Sequence, residues 1–352
     1  MAGTMFAAVK VRGEMNGTEI KEVPIPKLGP RDVLIKVKVA SICGSDIHIF
    51  RWDPWAAQTI KLPRIYGHEY SGYIAAVGEN VKGFEIGDYV SGEGHIGCGH
   101  CYNCRTGNAH ICSNLISVGV DRDGAFAEYV AIPVENVWRN NPELPPEITS
   151  VQDPLGNAVH TVFSTDVIGK SVAIMGIGPI GAMAVAICRH IGAKKIYAVD
   201  YKNEYRMQMA RDLGADLVYD AARDDVVSRI LDDTGGEGVD VVLEMSGAPS
   251  ALKNGFRVLR RGGTMAILGL YNRPVDIDIN NDVVLRYVTV KGIYGRKMYD
   301  TWYRMNGLLA DKGFRSKIER IITHRFPFSK FFEAMNTSIS GQSGKVIMYI
   351  EE

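Results

Sequence analysis

The segment Gly176-Ile-Gly178-Pro-Ile-Gly181 separates a strand-like apolar run, Ser171–Met175, from a helix-like apolar run, Pro179–Ile191. No other feature constrains the fold as much. A glycine turn that joins a strand to a buried helix opens a βαβ unit, and the parallel sheet that results needs helices on its faces. The alternation continues downstream. Lys195–Val199 reads as the second strand, Glu204–Leu213 as the second helix, and Val239–Glu244 and Thr264–Leu268 as later strands of the same sheet. The three glycines permit a tight turn and close approach of a pyrophosphate, and the helix start supplies N–H groups and a positive dipole end. Asp200 closes the second strand, 19 residues after Gly181. A carboxylate there accepts hydrogen bonds from both ribose hydroxyls of NAD and repels the 2′-phosphate of NADP. Lys202 and Arg206 stand nearby and could soften that preference, or Arg206 could stack on or bond the adenosine end. A glycine turn of some unrelated α/β fold would leave the strand, helix and acid in this register unexplained.

Four cysteines lie within 15 residues: Cys98, Cys101, Cys104 and Cys112, spaced C-x₂-C-x₂-C-x₇-C. Thiols at steps of three cannot all pair with one another, and the loop is too tight for two unstrained disulfides. Four thiolates from one short loop fit a closed tetrahedral zinc site. Gly97, Gly99 and Gly107 let the backbone wrap an ion. The other two cysteines are Cys43 and Cys188. The N-terminus shows no charged segment followed by a long apolar core, so a reducing cytoplasm is expected, with thiols as metal ligands rather than disulfides.

A quieter constellation precedes the cluster. Cys43 lies in Cys43-Gly-Ser45-Asp-Ile-His48, and Gly67-His68-Glu69 follows with His68 25 residues beyond Cys43. Alone, Cys43 reads as a small buried hydrophobe and His68 as a structural histidine. Beside a dinucleotide signature and a separate Cys₄ cluster they suggest a catalytic zinc, which needs about three protein ligands and one open position. Asp153 sits just before the dinucleotide region and could bring another oxygen to the metal. The chemistry explains the combination. Zinc lowers the pKa of bound water from about 16 to about 7, and an alcohol responds likewise, so hydride can leave for a nicotinamide. The released proton needs a path, and Ser45 followed by His48 could form it. The alternative is a turn serine and a surface histidine.

The chain has 352 residues, enough for two domains. Roughly the first 150 residues read as short strands and turns, and Val33–Val39 alternates as a half-buried strand should. Pro142, Pro145 and Pro146 mark a break. The pattern of the second region fades after Gly295. The expected division is therefore 1–154 with 297–352 as one domain and 155–296 as the other. Lys plus Arg equals Asp plus Glu, 40 each, which argues against nucleic-acid or membrane binding through bulk charge. The most apolar run, Val172–Cys188, is too short and too glycine-rich for a membrane span.

The order Cys43, Gly67-His68-Glu69, four clustered cysteines and GxGxxG resembles the zinc-dependent medium-chain alcohol dehydrogenases, over essentially the whole chain. Within them it is similar to the bacterial and archaeal L-threonine 3-dehydrogenases. The segments that carry this are Ile42–Trp52, Ser91–His95, Asp153–Thr161, Leu243–Pro249, Gly292–Arg296 and Ser340–Val346. The resemblance implies an α/β fold: a GroES-like β catalytic domain plus a doubly wound Rossmann domain. It implies catalytic zinc on Cys43, His68 and Glu69, structural zinc on the four clustered cysteines, a Ser45/His48 relay, and Asp153 as a proton-relay or alternating ligand. Cofactor contacts would fall on Gly176, Gly178, Ile180, Gly181, Asp200, Arg206, Leu268, Gly269, Leu270, Ile293 and Tyr294. It further implies L-threonine oxidised at C3 by NAD, coupling to a 2-amino-3-oxobutanoate CoA ligase, and a homotetramer. Two positions depart from the pattern. Ser45 replaces the usual Thr, and Asp200–Arg206 is one residue longer.

Threonine carries an ammonium and a carboxylate. His95 and Arg296 are candidates for the carboxylate, Glu93 or Asp153 for the ammonium; a structural His95 and a cofactor contact for Arg296 are the alternatives. A polyol or diol dehydrogenase is the neighbouring reading. A non-catalytic dinucleotide- or RNA-binding relative is the distant one, and it has no need of Cys43, His68, Glu69, Ser45 and His48 together.

Overall fold

The strand Asp32–Ser41 organises the first half of the molecule. Val33, Ile35 and Val37 enter the core, with Lys36 and Lys38 between and after them. It pairs antiparallel with Glu69–Val77, Tyr129–Pro133 and Lys345–Tyr349. Register sets its neighbours: Ser41 stands opposite Glu69 on one side and Ile347 on the other. The ends of three strands, 303 residues apart at their widest, therefore meet at Ile42 and Lys345.

The computed structural model describes residues 3–350. Its contacts divide into two units, one running to Pro154 and resuming at Ile322, the other spanning Leu155–Ile321. The first unit holds a sheet ordered Val137–Arg139, Tyr89–Gly92, Glu69–Val77, Asp32–Ser41, Lys345–Tyr349, Ile322–Pro327. A smaller sheet joins Thr18–Pro24, Thr4–Lys10 and Arg64–Ile65. Its core centres on edge-to-face rings, Tyr66 to Phe126 at 5.3 Å and Phe126 to Phe331 at 5.6 Å, with Phe331 on the helix Phe331–Ile339. Such pairs add to plain apolar burial.

The second unit is a six-stranded parallel sheet ordered Leu217–Asp220, Lys195–Asp200, Ser171–Met175, Val239–Glu244, Leu259–Ile267, Thr289–Gly292. The first strand in the chain lies inside, and the order reverses between it and Val239–Glu244. Doubly wound sheets bind dinucleotides at that reversal, beyond the carboxyl ends of the strands. The helix Pro179–His190 is buried from Gly181 to Cys188.

One boundary differs from the sequence reading. The chain leaves the second unit at Ile322, not at 297. The helix Lys312–Ile321 packs on Pro179–His190, with the rings of Phe314 and His190 5.1 Å apart, and Asp300–Ala310 packs on Lys312–Ile321. Their apolar faces (Trp302, Met305 and Leu309; Phe314 and Ile318) are buried there. Only the strand–helix–strand segment from Ile322 completes the first unit. Among the described residues no helix is long and apolar enough to cross a membrane.

Candidate metal centres and dinucleotide crevice

Cys43 follows the strand Asp32–Ser41 and caps the helix Gly44–Arg51 in extended backbone, φ −93° and ψ 162°. Its N–H donates to Asp46 Oδ2 at 2.8 Å. Gly67 has φ +89°, and a Cβ there would come within 2.6 Å of the Phe126 ring. Only glycine permits this turn, which leads His68 and Glu69 toward Cys43. One ligand atom from each of Cys43, His68 and Glu69 lies within 4.8 Å of the others. Sulfur, imidazole and carboxylate in a group of three leave a fourth position for a substrate oxygen.

The donor set fits a cation. Glu69 is fully buried. Its Oε2 accepts from Ser41 Oγ and pairs with Lys345 Nζ, whereas Oε1 has no hydrogen-bond partner. Asp46 Oδ1 is also buried and accepts no hydrogen bond, with His68 Nδ1 3.7 Å away as its charge partner. Buried orphan carboxylate oxygens are costly, and a divalent ion relieves the cost. Burial works against protonated His68, but the charges of Asp46 and Cys43 outweigh it and hold the imidazole well above its ordinary range. Burial lifts the Asp46 carboxyl to about 6 against the opposing pull of His68. Asp46 therefore orients His68 from behind, as carboxylates do for metal-bound imidazoles. Asp153 is buried and its charge acts on His68 and Tyr70, but it is outside the tight group of three.

Ser45 and His48 lie three apart on Gly44–Arg51, hence on one face. His48 is exposed, and its Nδ1 pairs with Asp53 Oδ2, which fixes one ring nitrogen. Asp53 also caps the next helix, accepting from Ala56 N–H at 3.0 Å.

Cys98, Cys101, Cys104 and Cys112 also place their sulfurs within 4.8 Å of one another, and none forms a disulfide. Backbone N–H groups point at the sulfurs: Cys98 and Asn114 at Cys112 Sγ, 3.2 and 3.3 Å away, and Cys104 at Cys101 Sγ, 3.5 Å away. The N–H groups of Cys104 and Ser113 pull the Cys101 thiol down to about 6. Burial pushes the Cys104 thiol the other way, up to about 12, so all four act as thiolates only with a cation among them, and four ligands close the coordination shell.

In the second unit the three glycines have three separate reasons. Gly176 is left-handed at φ +98°. Gly181 sits so close beneath the turn that a Cβ would lie 2.0 Å from Gly176 O. Gly178 begins Pro179–His190 with no side-chain cap and open space where a Cβ would be. The helix start thus offers bare N–H groups. Asp200 ends its strand, with Oδ2 buried and unpartnered, and Arg206 Nε is buried and unpartnered too. Burial raises the Asp200 carboxyl, opposed by the Tyr201 N–H and Arg206. These orphans fit the ribose and adenosine of a dinucleotide. Ile180 lies in the first turn of that helix; Leu268, Gly269 and Leu270 follow the fifth strand, and Ile293 and Tyr294 the sixth. All the expected cofactor residues thus gather at one edge of the sheet.

Comparison with known proteins matches two family models, one in each unit. Residues 29–143 match the alcohol dehydrogenase GroES-like domain, and residues 179–311 match the zinc-binding dehydrogenase family. This chain belongs to the zinc-binding alcohol dehydrogenases. It is 51% identical over 349 residues to an L-threonine 3-dehydrogenase of Caldanaerobacter subterraneus, covering 99% of this chain and 100% of that one. It is 46% identical to an L-threonine 3-dehydrogenase of Bacillus subtilis, covering 99% of each. A solved zinc-binding dehydrogenase from Sinorhizobium meliloti, bound to NADP, superposes with a TM-score of 0.88 at 28% identity, covering 99% of each chain. The chain is thus an oxidoreductase that uses zinc and a nucleotide cofactor, with the GroES-like and Rossmann domains expected from sequence.

In this dehydrogenase the two residues offered for the substrate carboxylate differ in setting. His95 is half-buried with Nδ1 3.2 Å from Glu93 Oε1. Arg296 is 2% exposed and donates to Asn157 Oδ1 at 3.1 Å. Sequence reasoning missed Asp46, Asp53 and Lys345. Asp53 had a local signal, since Asp before Pro marks a helix start. Asp46 and Lys345 had no local chemical signal, although both lie in segments that carry the family resemblance, Ile42–Trp52 and Ser340–Val346.

Proposed function

We propose that this dehydrogenase oxidises the C3 hydroxyl of L-threonine to L-2-amino-3-oxobutanoate, with NAD as hydride acceptor. The observation that carries the reading is the group of Cys43, His68 and Glu69 within 4.8 Å, in a chain collinear with L-threonine 3-dehydrogenases from end to end. When bound, zinc supplies Lewis acidity that acidifies a hydroxyl, and NAD supplies the hydride acceptor. The chain's own residues do the rest. Ser45 relays the hydroxyl proton, accepting it as it gives up its own toward His48, and His48, oriented by Asp53, releases a proton to solvent. Asp153 serves as a proton relay or as the alternating partner of Glu69. The four clustered cysteines hold a second, structural zinc, so metal analysis is expected to give two zincs per chain. His95 and Arg296 are the candidates for the substrate carboxylate, and Glu93 or Asp153 for the ammonium.

Asp200 selects NAD over NADP. Asp200→Ser is expected to raise the KM for NAD⁺ about tenfold or more, on the scale of lost hydrogen bonds to a charged group, and to allow NADP⁺ reduction. Steady-state assays with both cofactors check it, and an unchanged preference would remove Asp200 from the role.

A homotetramer in the cytoplasm is part of the same proposal. The edge strand Thr289–Gly292 is exposed at every residue, beside exposed Val284, Leu285 and Tyr287, and such an edge invites another copy. The product, a β-keto acid, would decarboxylate or pass to a 2-amino-3-oxobutanoate CoA ligase. The deciding experiment is a substrate panel with the zinc-loaded enzyme, following NADH absorbance. Turnover of L-threonine above that of 2,3-butanediol and sorbitol is expected. Activity on the diols without threonine would replace the reading with a polyol or diol dehydrogenase.

A further inference from the structure

Glu244 ends the fourth strand of the parallel sheet and is fully buried. A carboxylate in that setting needs donors. Its Oε1 collects Ser246 N–H at 2.9 Å, Ser246 Oγ–H at 2.5 Å and Gly247 N–H at 3.1 Å. Its Oε2 accepts the Tyr271 hydroxyl at 2.8 Å. Its backbone oxygen accepts from Leu268 N–H at 2.9 Å and Gly269 N–H at 3.2 Å. One residue thus ties the loop after the fourth strand to the loop after the fifth. The loops touch backbone to backbone. A Cβ on Gly247, which has φ +68°, would lie 2.3 Å from Leu270 O, and one on Gly269 would lie 2.2 Å from Gly247 N. On the other side Ser246 abuts the pyrophosphate turn, where a Cβ on Gly176 would lie 2.6 Å from Ser246 Cβ.

The position of this knot decides what it does. Strands one to three of a doubly wound sheet carry the adenosine half of a dinucleotide, strands four to six the other half. Asp200 belongs to the first set, Glu244 and Leu268–Tyr271 to the second. Burial and Glu244 both hold the Tyr271 phenol protonated, so it remains a donor.

We infer that Glu244, with Tyr271, is a positioning residue that presets the nicotinamide half of the cofactor crevice without touching the cofactor itself. This rests on the NAD-dependent reading above. Tyr271→Phe removes the side-chain bond between the loops and leaves the backbone bonds of Leu268 and Gly269 to Glu244 in place; Glu244→Gln weakens the whole knot in an isosteric side chain. With zinc-loaded full-length protein, NADH affinity is measured by fluorescence and 5′-AMP affinity by calorimetry. Tyr271→Phe is expected to raise the NADH Kd about tenfold, the scale of one hydrogen bond to a charged acceptor, and Glu244→Gln more. Both variants should bind 5′-AMP like wild type, which also shows that the sheet is intact. Unmoved NADH affinity in both, or an equal loss for 5′-AMP, overturns the inference while leaving the proposed function standing. Wild-type protein that binds no NADH overturns both.

Discussion

Cys43→Ser is expected to lower turnover by about 10³-fold or more while NADH binds as in wild type. Zinc Lewis acidity is worth several kcal/mol of charge stabilisation in the reaction, and about 4 kcal/mol corresponds to about 10³ in rate. A serine hydroxyl stays protonated at neutral pH and makes a poor zinc ligand, so only His68 and Glu69 remain. Glu69 is already half committed, since Ser41 and Lys345 hold its Oε2. The residues proposed to hold the cofactor are all in the second unit, from Gly176 to Tyr294, so NADH binding has no reason to change. Zinc content should fall from two to one per chain. Turnover and two zincs retained in Cys43→Ser would end the catalytic assignment of this group. The same change at Cys101 should act differently: it opens the closed cluster and costs stability, leaving the chemical site unaltered.

Much of this was legible from sequence because it is local. Gly176, Gly178 and Gly181 sit in one turn, Asp200 ends the next strand, and the four cysteines share one loop. Cys43, His68 and Glu69 were readable as residue types, but their meeting depends on the pairing of Ser41 with Glu69. What stayed hidden depends on long-range register. Lys345 reaches Glu69 across 276 residues, and no local pattern marks a lysine that will be 2% exposed. Glu244 looked like the last residue of a strand, and only the fold shows it gathering two loops. The boundary at Ile322 was missed because Asp300–Ala310 and Lys312–Ile321 are amphipathic helices, and amphipathicity does not say which sheet they cover.

Lys345→Met should destabilise the metal-free protein by about 3–5 kcal/mol, the usual consequence of removing one partner of a buried ion pair. Both members are dry: Lys345 is 2% exposed and Glu69 0%. The ammonium also donates to Ile42 O at 2.8 Å. Methionine replaces the aliphatic stem but not the charge, so Glu69 keeps only the Ser41 hydroxyl. An exposed pair such as Arg12 with Glu19 offers a contrast. Its members are 55% and 43% exposed, and exposed pairs contribute under about 1 kcal/mol. Desolvation, not proximity, sets the larger figure. Zinc changes the balance, because a divalent ion beside Cys43, His68 and Glu69 returns the missing countercharge. The loss should therefore shrink in zinc-loaded protein and reappear with chelator. Denaturant unfolding with and without chelator reads this directly. Glu69→Gln in the Lys345→Met background should recover most of the metal-free loss, since the amide needs no cation, and the cycle isolates the pair. A loss below about 1 kcal/mol in metal-free Lys345→Met, on the scale of an exposed pair, or no recovery in the double variant, would mean that Lys345 is not the charge that holds Glu69 in place.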